Sequence, residues 1–360
     1  MNYGVILAGG RGERFWPLST RRNPKQLLKL TSEKMMLEET IDRLDGFIPQ
    51  ERVLIVTGAD LESRIIGTIA SLKPENLLLE PQGKNTCLAL ALAAVHIKIS
   101  DADGVMVVLS SDHLIKPKER LIEIIEAASQ LASREEKLIT IGIIPSRAET
   151  GYGYVEMGSE YARIGDVNFY EVSKFKEKPE RPRAQEYYLD RKHLWNSGMF
   201  VWSVKAFLKA LEKYMPNMYA CLMDYAREIA ADKSDVPIKC LYRDCENISV
   251  DFAILEKADN VLCVKGDIKW DDVGSWLAMQ RIHAPDKYGN VVKGNIYLDE
   301  SYENTIISTA EEELIVSYGV TDLVIVRTGK VMMVAHKTRV NDIKDLLSKL
   351  EKDGKYQQYL

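Results

Sequence analysis

An apolar run that empties into a three-glycine loop followed by two cations suits chemistry on a polyphosphate in this 360-residue chain. Val5-Ile6-Leu7-Ala8 empties into Gly9-Gly10-Arg11-Gly12, followed by Glu13-Arg14-Phe15-Trp16-Pro17-Leu18-Ser19 and then Asn23-Pro24-Lys25-Gln26. Glycines let a backbone approach closely and aim N–H groups at anionic oxygens, while Arg14 and Lys25 neutralise what the amides cannot. The loop is not the dinucleotide fingerprint, because Phe15 stands where the third glycine belongs. Nor is it a P-loop, because no Gly-Lys-Ser/Thr follows. Asp112 comes directly after Val105-Met106-Val107-Val108-Leu109-Ser110-Ser111. A carboxylate at the mouth of a buried strand is costly unless it meets a cation, and helix capping is its alternative role. Asp272 lies in Trp270-Asp271-Asp272-Val273-Gly274-Ser275-Trp276, a run that by itself also reads as a capped helix start.

The elements that must position these groups alternate through the first half of the chain. Strand-like runs near 3–8, 52–57, 104–109 and 137–144 are separated by helix-like segments near 35–46, 60–71, 85–99 and 118–132. Such alternation argues for a parallel sheet covered by helices, with ligands at the carboxyl ends of the strands. Both the glycine loop and Ser110-Ser111-Asp112-His113 follow strand-like runs, so they converge. From about 150 to 280 the pattern turns mixed, with helical stretches near 204–231. Pro285-Asp286-Lys287-Tyr288-Gly289-Asn290 marks a boundary, which divides the chain into residues 1–284 and 285–360. Beyond it lie short β-rich runs over 291–298, 305–308, 314–317, 323–327 and 331–335, then an amphipathic helix near 340–352.

Composition narrows the class. Charged residues make up 28% and hydrophobic ones 46%, ordinary for a globular protein, and the formal net charge of −5 argues against a non-specific nucleic-acid binder. An anionic ligand must therefore be met by a local basic cluster. No apolar run approaches the length of a membrane span, and the start lacks the zones of a signal peptide. Cys87, Cys221, Cys240, Cys245 and Cys263 are scattered without a Cys-x-x-Cys pair, which reads as reduced thiols in a cytoplasmic protein without a zinc site.

The ordered series from Leu-Ala-Gly-Gly-x-Gly-x-Arg-x-x-Pro-Leu-Ser through Pro-Lys-Gln resembles the sugar-1-phosphate nucleotidyltransferase family. The Phe15-Trp16-Pro17-Leu18-Ser19 and Pro24-Lys25-Gln26 wording is most similar to its mannose-1-phosphate guanylyltransferase branch. The resemblance implies a Rossmann-like mixed α/β sheet flanked by helices, followed by a short β-helix-like domain. It also implies transfer of GMP from GTP to mannose 1-phosphate with release of pyrophosphate. In the family, aspartates at the positions of Asp112 and Asp272 hold Mg²⁺, and two well-separated carboxylates suffice for that ion. Arg14 and Lys25 would stabilise charge on the transferring and leaving phosphates.

Further elements continue the resemblance in the family's order. Glu80-Pro81-Gln82-Gly83-Lys84-Asn85-Thr86 resembles the loop beside the nucleotide, with Asn85 or Thr86 able to cap the helix that follows. The nucleotide side then comprises Leu7, Ala8, Gly9, Gly10, Gly12, Glu80, Lys84, Asn85 and Ser111. Thr150-Gly151-Tyr152-Gly153-Tyr154-Val155-Glu156 is similar to the run beside the sugar, although an edge strand with glycine kinks explains it too. Phe175-Lys176-Glu177-Lys178-Pro179 matches an element whose lysine holds the sugar phosphate and whose glutamate takes sugar hydroxyls. Trp195-Asn196-Ser197-Gly198-Met199-Phe200 supplies Asn196, which can bridge hydroxyls as donor and acceptor. Ser249-Val250-Asp251-Phe252-Ala253 supplies Asp251, with helix capping by Ser249 or Asp251 as the rival role. The sugar-phosphate side is therefore Gly153, Glu177, Lys178, Asn196 and Asp251.

One position departs from the pattern: many relatives carry Thr or Ser where this chain has Glu13. Its carboxylate must point away from the triphosphate, pair with Arg11 or meet metal. Competing readings keep the chemistry with glucose 1-phosphate or another nucleotide, or make the chain a catalytically silent sensor of sugar nucleotides. The presence of Arg14, Lys25 and both aspartates speaks against the silent form. An isomerase activity, which relatives carry on a further domain, is not expected within 360 residues. The expected partners are GTP and mannose 1-phosphate, without nucleic acid or membrane, and the β-rich tail suits a homodimer contact.

Overall fold

A computed structural model describes all residues except Arg11, 232–235 and Glu311. It divides into two compact units. The first comprises Met1–Gly9, Thr40–Ser111 and Ile115–Trp270, and the second Gly10–Glu39, Asp112–Leu114 and Asp271–Leu360. The chain thus passes from the first to the second inside the glycine loop, between Ser111 and Asp112, and between Trp270 and Asp271.

The first unit is built on a nine-stranded sheet. Its strands are β1 (Asn2–Leu7), β2 (Val53–Gly58), β3 (Leu77–Glu80), β4 (Val105–Ser110), β5 (Leu138–Ile143), β6 (Tyr154–Ile164), β7 (Val167–Lys176), β8 (His193–Ser203) and β9 (Val261–Gly266). Their order is β3-β2-β1-β4-β8-β5-β9-β7-β6. The β1, β2, β3 and β4 ladders are parallel, while β8 runs antiparallel to both β4 and β5, so the sheet is mixed. Strands buried on both faces need continuous apolar runs, which is what Val105–Leu109 and Leu138–Ile143 supply. The helix Asn85–Ser100 is apolar nearly all round, and Leu88, Leu90, Ala91 and Leu92 are fully buried. A helix of that pattern belongs inside a core, here with Trp202, Phe207 and Tyr242. The strands β6 and β7 form a long hairpin, and Tyr154–Glu156 pair with β7 on one side and with β8 on the other, so the edge-strand alternative for this stretch does not hold.

In the second unit the tail winds through β10 (Val291–Lys293), β11 (Ile296–Asp299), β12 (Thr305–Ser308), β13 (Ile315–Tyr318), β14 (Leu323–Thr328) and β15 (Val331–His336). Parallel pairing of β10 with β12, β12 with β14 and β11 with β13 makes the coils of a β-helix, and antiparallel β15 closes it. The run expected over 291–298 is broken at Gly294, where φ is 115° and any Cβ would meet the Ser308 carbonyl oxygen at 2.8 Å. Buried Asn290 and Asn304 satisfy the turns, Asn304 Nδ2 donating to Asn290 Oδ1 (3.2 Å) and to the Val320 carbonyl (3.0 Å). The core joins Phe15, Trp16 and Leu28 to Trp276, Val324, Val326, Met333 and Ile343. Phe15 and Trp276 meet edge-to-face at 5.0 Å, and the Trp276 indole donates to the Trp16 carbonyl. Among the described residues, no helix is long and apolar enough to cross a membrane.

Candidate active site

All four side chains singled out for catalysis line one cavity of the second unit. This space of about 430 Å³ is bounded by Gly10, Gly12, Glu13, Arg14, Phe15, Lys25, Asp112, His113, Asp272, Gly274 and Lys344. Gly12 turns the loop with φ at 62°, and a Cβ there would fall 2.2 Å from that of Lys25. Only glycine fits so close to that lysine. Ser19 Oγ donates to the Gly12 carbonyl (2.7 Å), which ties the loop to the segment behind it.

Lys25 is buried and bonded on two sides, donating to Asp112 Oδ2 (2.8 Å) and to the Asp272 carbonyl (2.7 Å). Burial works against charge on Asp112, but Lys25 and His113 beside it more than compensate and hold its carboxyl below the usual range. Arg14 donates to the Gly274 carbonyl (3.2 Å). The two neighbouring aspartates have separate work. Asp271 is buried, bridged by Arg281 at 2.6 and 2.9 Å, and accepts the Val273 N–H (2.8 Å). Asp272 faces the cavity, with Oδ1 accepting the Gly274 N–H at 3.2 Å. Between them Val273 holds a positive φ of 46°, a strained conformation for a β-branched residue that Arg281 and the core keep in place.

Two carboxylates on an open cavity, beside cations and a glycine loop, suit a hard divalent ion that completes its shell with phosphate and water. Among the described residues no group of three or more metal-binding side chains forms a protein cage. The donor set therefore fits an ion that arrives with a phosphorylated ligand.

Of the residues expected on the nucleotide side, Gly10 and Gly12 belong to the second unit, while Leu7, Ala8, Gly9, Glu80, Lys84, Asn85 and Ser111 lie in the first, at or just beyond the carboxyl ends of β1, β3 and β4. The Ala8 N–H goes to the Val56 carbonyl (2.8 Å), Thr57 Oγ1 donates to the Ala8 carbonyl (3.1 Å), and the Ser111 N–H donates to the Leu7 carbonyl (3.1 Å). A Cβ on Gly9 would lie 3.3 Å from Glu80 Oε2. Burial raises the Glu80 carboxyl, and the hydroxyl of Tyr242, donating at 2.9 Å, partly offsets that. Lys84 is drawn to the carbonyls of Cys245 and Arg243. The helix Asn85–Ser100 is not capped by Asn85 or Thr86, contrary to expectation. Asn85 takes φ 64° and accepts its neighbour's N–H at Oδ1 (3.0 Å), while Thr86 Oγ1 accepts from Val250 (3.0 Å). The hydroxyl is spent on holding the 248–250 segment.

The residues expected on the sugar side also cluster in the first unit. The Asn196 N–H donates to the Gly153 carbonyl (2.8 Å), and its Nδ2 donates to Asp251 Oδ1 (2.9 Å). Thr140 Oγ1 donates to Asn196 Oδ1 (3.1 Å), fixing which end of the amide points where. A Cβ on Gly153 would sit 2.3 Å from Glu177 Oε2, so the glycine makes room for that carboxylate. Lys178 has φ 45° and is paired with Glu177. Asp251 does not cap a helix: Ser249 Oγ accepts the Phe252 N–H at 3.5 Å instead. Burial first, then the nearby Glu177 charge, push the Asp251 carboxyl up to about 6.

Sequence reasoning missed four supports: Arg281 behind Asp271, Tyr242 behind Glu80, Thr140 behind Asn196, and Lys344 on the cavity wall. The departure at Glu13 was the one available hint of the last, since Lys344 Nζ lies 3.7 Å from Glu13 Oε2. Arg11, the other partner considered for Glu13, lies outside the described residues.

A family model described as nucleotidyl transferase matches residues 3–289, and one described as a MannoseP isomerase/GMP-like beta-helix domain matches residues 295–350. A mannose-1-phosphate guanylyltransferase of Klebsiella pneumoniae is 36% identical over 97% of this chain and 74% of its own length. One of Escherichia coli strain K12 is 34% identical, covering 99% of this chain and 74% of its own. The crystal structure of a "mannose-1-phosphate geranyltransferase" from Thermus thermophilus has a TM-score of 0.86 at 30% identity, covering 97% of this chain and 99% of that one. That of a mannose-6-phosphate isomerase from Helicobacter pylori has a TM-score of 0.61 at 26% identity, covering 75% and 99%.

Proposed function

Because this chain belongs to the nucleotidyl transferase family, we infer that it transfers the GMP moiety of GTP to α-D-mannose 1-phosphate, giving GDP-mannose and pyrophosphate. The observation that carries this reading is the shared cavity of Arg14, Lys25, Asp112 and Asp272 under the glycine loop. Those four line a space of about 430 Å³, enough for a polyphosphate and a cation. A phosphate oxygen of the sugar phosphate attacks the α-phosphorus of GTP. The new O–P bond forms as the bond to the β-phosphate oxygen breaks, and pyrophosphate leaves with its electrons.

Both reactants are anions, so repulsion and misalignment are the main barriers. The attacking phosphate is already ionised and needs no general base, which leaves charge neutralisation and positioning as the protein's work. Lys25 and Arg14 face the transferring and leaving phosphates. Backbone amides of the glycine loop meet the phosphate oxygens, and Glu80, Lys84 and Asn85 stand on the nucleotide side. Lys178 anchors the sugar phosphate, while Glu177, Asn196 and Asp251 take sugar hydroxyls beside Gly153. Asp112 and Asp272 are the residues that hold Mg²⁺; when bound, that ion neutralises phosphate charge. Residues 1–284 carry these roles. The five free cysteines suit a reducing compartment, and we place the enzyme in the cytoplasm.

The test is pyrophosphate release with Mg²⁺ across GTP, ATP, UTP and dTTP against mannose and glucose 1-phosphates. Release with GTP and mannose 1-phosphate alone is the expected result. Preference for another pair overturns the branch and keeps the chemistry. Silence from folded protein overturns the reading and returns the sensing subunit.

A further inference from the structure

We propose that Lys344, at the start of the C-terminal helix, binds the leaving pyrophosphate half of the nucleotide, with Glu13 holding it in place. The inference rests on the nucleotidyl transfer reading and adds a positioning residue that lies outside every motif in the sequence.

Three cations among the described residues line the cavity, and they differ in how far they are already committed. Lys25 is bonded to Asp112 and to the Asp272 carbonyl, and Arg14 donates to the Gly274 carbonyl. Lys344 meets Glu13 at 3.7 Å, beyond hydrogen-bond distance, and its side chain is 58% exposed. Its ammonium is thus the least committed of the three and can turn toward an incoming anion.

The placement of Lys344 is not that of a loose surface lysine. Ile343, its neighbour, is 2% exposed and packs in the same apolar cluster as Phe15 and Trp276. Leu347, one turn on, packs against that cluster too. The core that fixes Phe15 beside Arg14 therefore fixes the backbone of Lys344 across the same cavity. A lysine in the first turn of the helix Ile343–Lys352 works against the helix dipole, so helix stability does not account for it. The pair also explains Glu13. A carboxylate on the wall of an anion site repels its ligand, and the ammonium at 3.7 Å offsets that charge until phosphate arrives.

The test runs the reaction in reverse, with the GDP-sugar and inorganic pyrophosphate, and forward with GTP and mannose 1-phosphate. Lys344→Ala is expected to raise KM for pyrophosphate and for GTP about tenfold, the size of one lost charge-assisted hydrogen bond, with KM for mannose 1-phosphate and the melting temperature unchanged. Lys344→Arg keeps most of the affinity and Lys344→Glu loses more than the alanine variant. Unchanged pyrophosphate KM in Lys344→Ala overturns the proposal, as does an equal rise for every substrate together with a lower melting temperature. Full recovery of pyrophosphate KM in the double variant Glu13→Gln, Lys344→Ala also overturns it, because Lys344 then only shields Glu13. Should the wild type turn over none of the substrate pairs, the transfer reading has failed, and calorimetric titration of inorganic pyrophosphate into wild type and Lys344→Ala still decides whether Lys344 binds it.

Discussion

Asp251 shows how a buried carboxylate costs a folded chain stability. Its carboxyl titrates near pH 6 in the folded protein and near 4 in an unfolded chain. Between those values the folded state binds the extra proton, so stability falls as pH rises through the window, and the full penalty stands above pH 6. Asp251→Asn keeps the acceptor for Asn196 and removes the charge. It should raise stability by about 1–2 kcal/mol at pH 7.5 and by almost nothing near pH 4, read from urea midpoints at both values. An equal gain at both values would mean that charge is not the cause. The same residue scale decides what the sequence makes legible. Asp112, Lys25 and Asp272 sit in short runs whose types announce their chemistry, and they share a cavity. Arg281, Thr140 and Tyr242 do not, because a supporting side chain needs only to reach its partner, which many residues at many positions can do. The failed cap at Asn85 has the same origin: Thr86 is suited to several acceptor roles, and packing of the 248–250 segment chose one that local sequence does not display.

Among the elements, long uniform runs were readable and junctions were not. The apolar helix Asn85–Ser100 and the strands Val105–Ser110 and Leu138–Ile143 follow from their residues, since burial on all sides leaves no polar positions to interpret. The β6–β7 hairpin was not foreseen at its full length. Its outer residues are exposed and charged, and its register shifts repeatedly, so alternation is blurred. Caps give a local test of how elements are held. Ser203 Oγ accepts the Ala206 N–H at 3.2 Å at the start of the helix Val204–Tyr214, which packs in the main core. Ser203→Ala should cost about 1 kcal/mol of stability in urea unfolding with turnover unaltered, whereas Ser203→Asp should restore most of it. No loss in the alanine variant would mean that water replaces the cap.

At the scale of the whole chain, the second unit draws on three stretches far apart in sequence. No local pattern marks this, because the crossing points fall inside Leu7-Ala8-Gly9-Gly10, Ser110-Ser111-Asp112 and Trp270-Asp271-Asp272, where every residue already had a chemical explanation. Ending the chain after Gly289 would strip Val291, Ile307, Val324, Val326, Met333 and Ile343 from the core that carries Phe15 and Trp276. At about 1.5–3 kcal/mol per buried apolar side chain, the loss reaches roughly 10 kcal/mol, as large as the stability of a typical domain. The truncated chain should bind a hydrophobic dye and release no pyrophosphate, and full activity would show that the tail is dispensable. The Trp16 indole, which donates to the Tyr359 carbonyl at 2.8 Å across 343 positions, carries a further consequence. Ribosomes add roughly 5–20 residues per second, so the glycine loop emerges tens of seconds before the residues that close its core. During that interval Phe15 and Trp16 lack the C-terminal side chains that bury them in the finished chain, and that exposed apolar surface is the cost of closing an N-terminal loop with the last residues made.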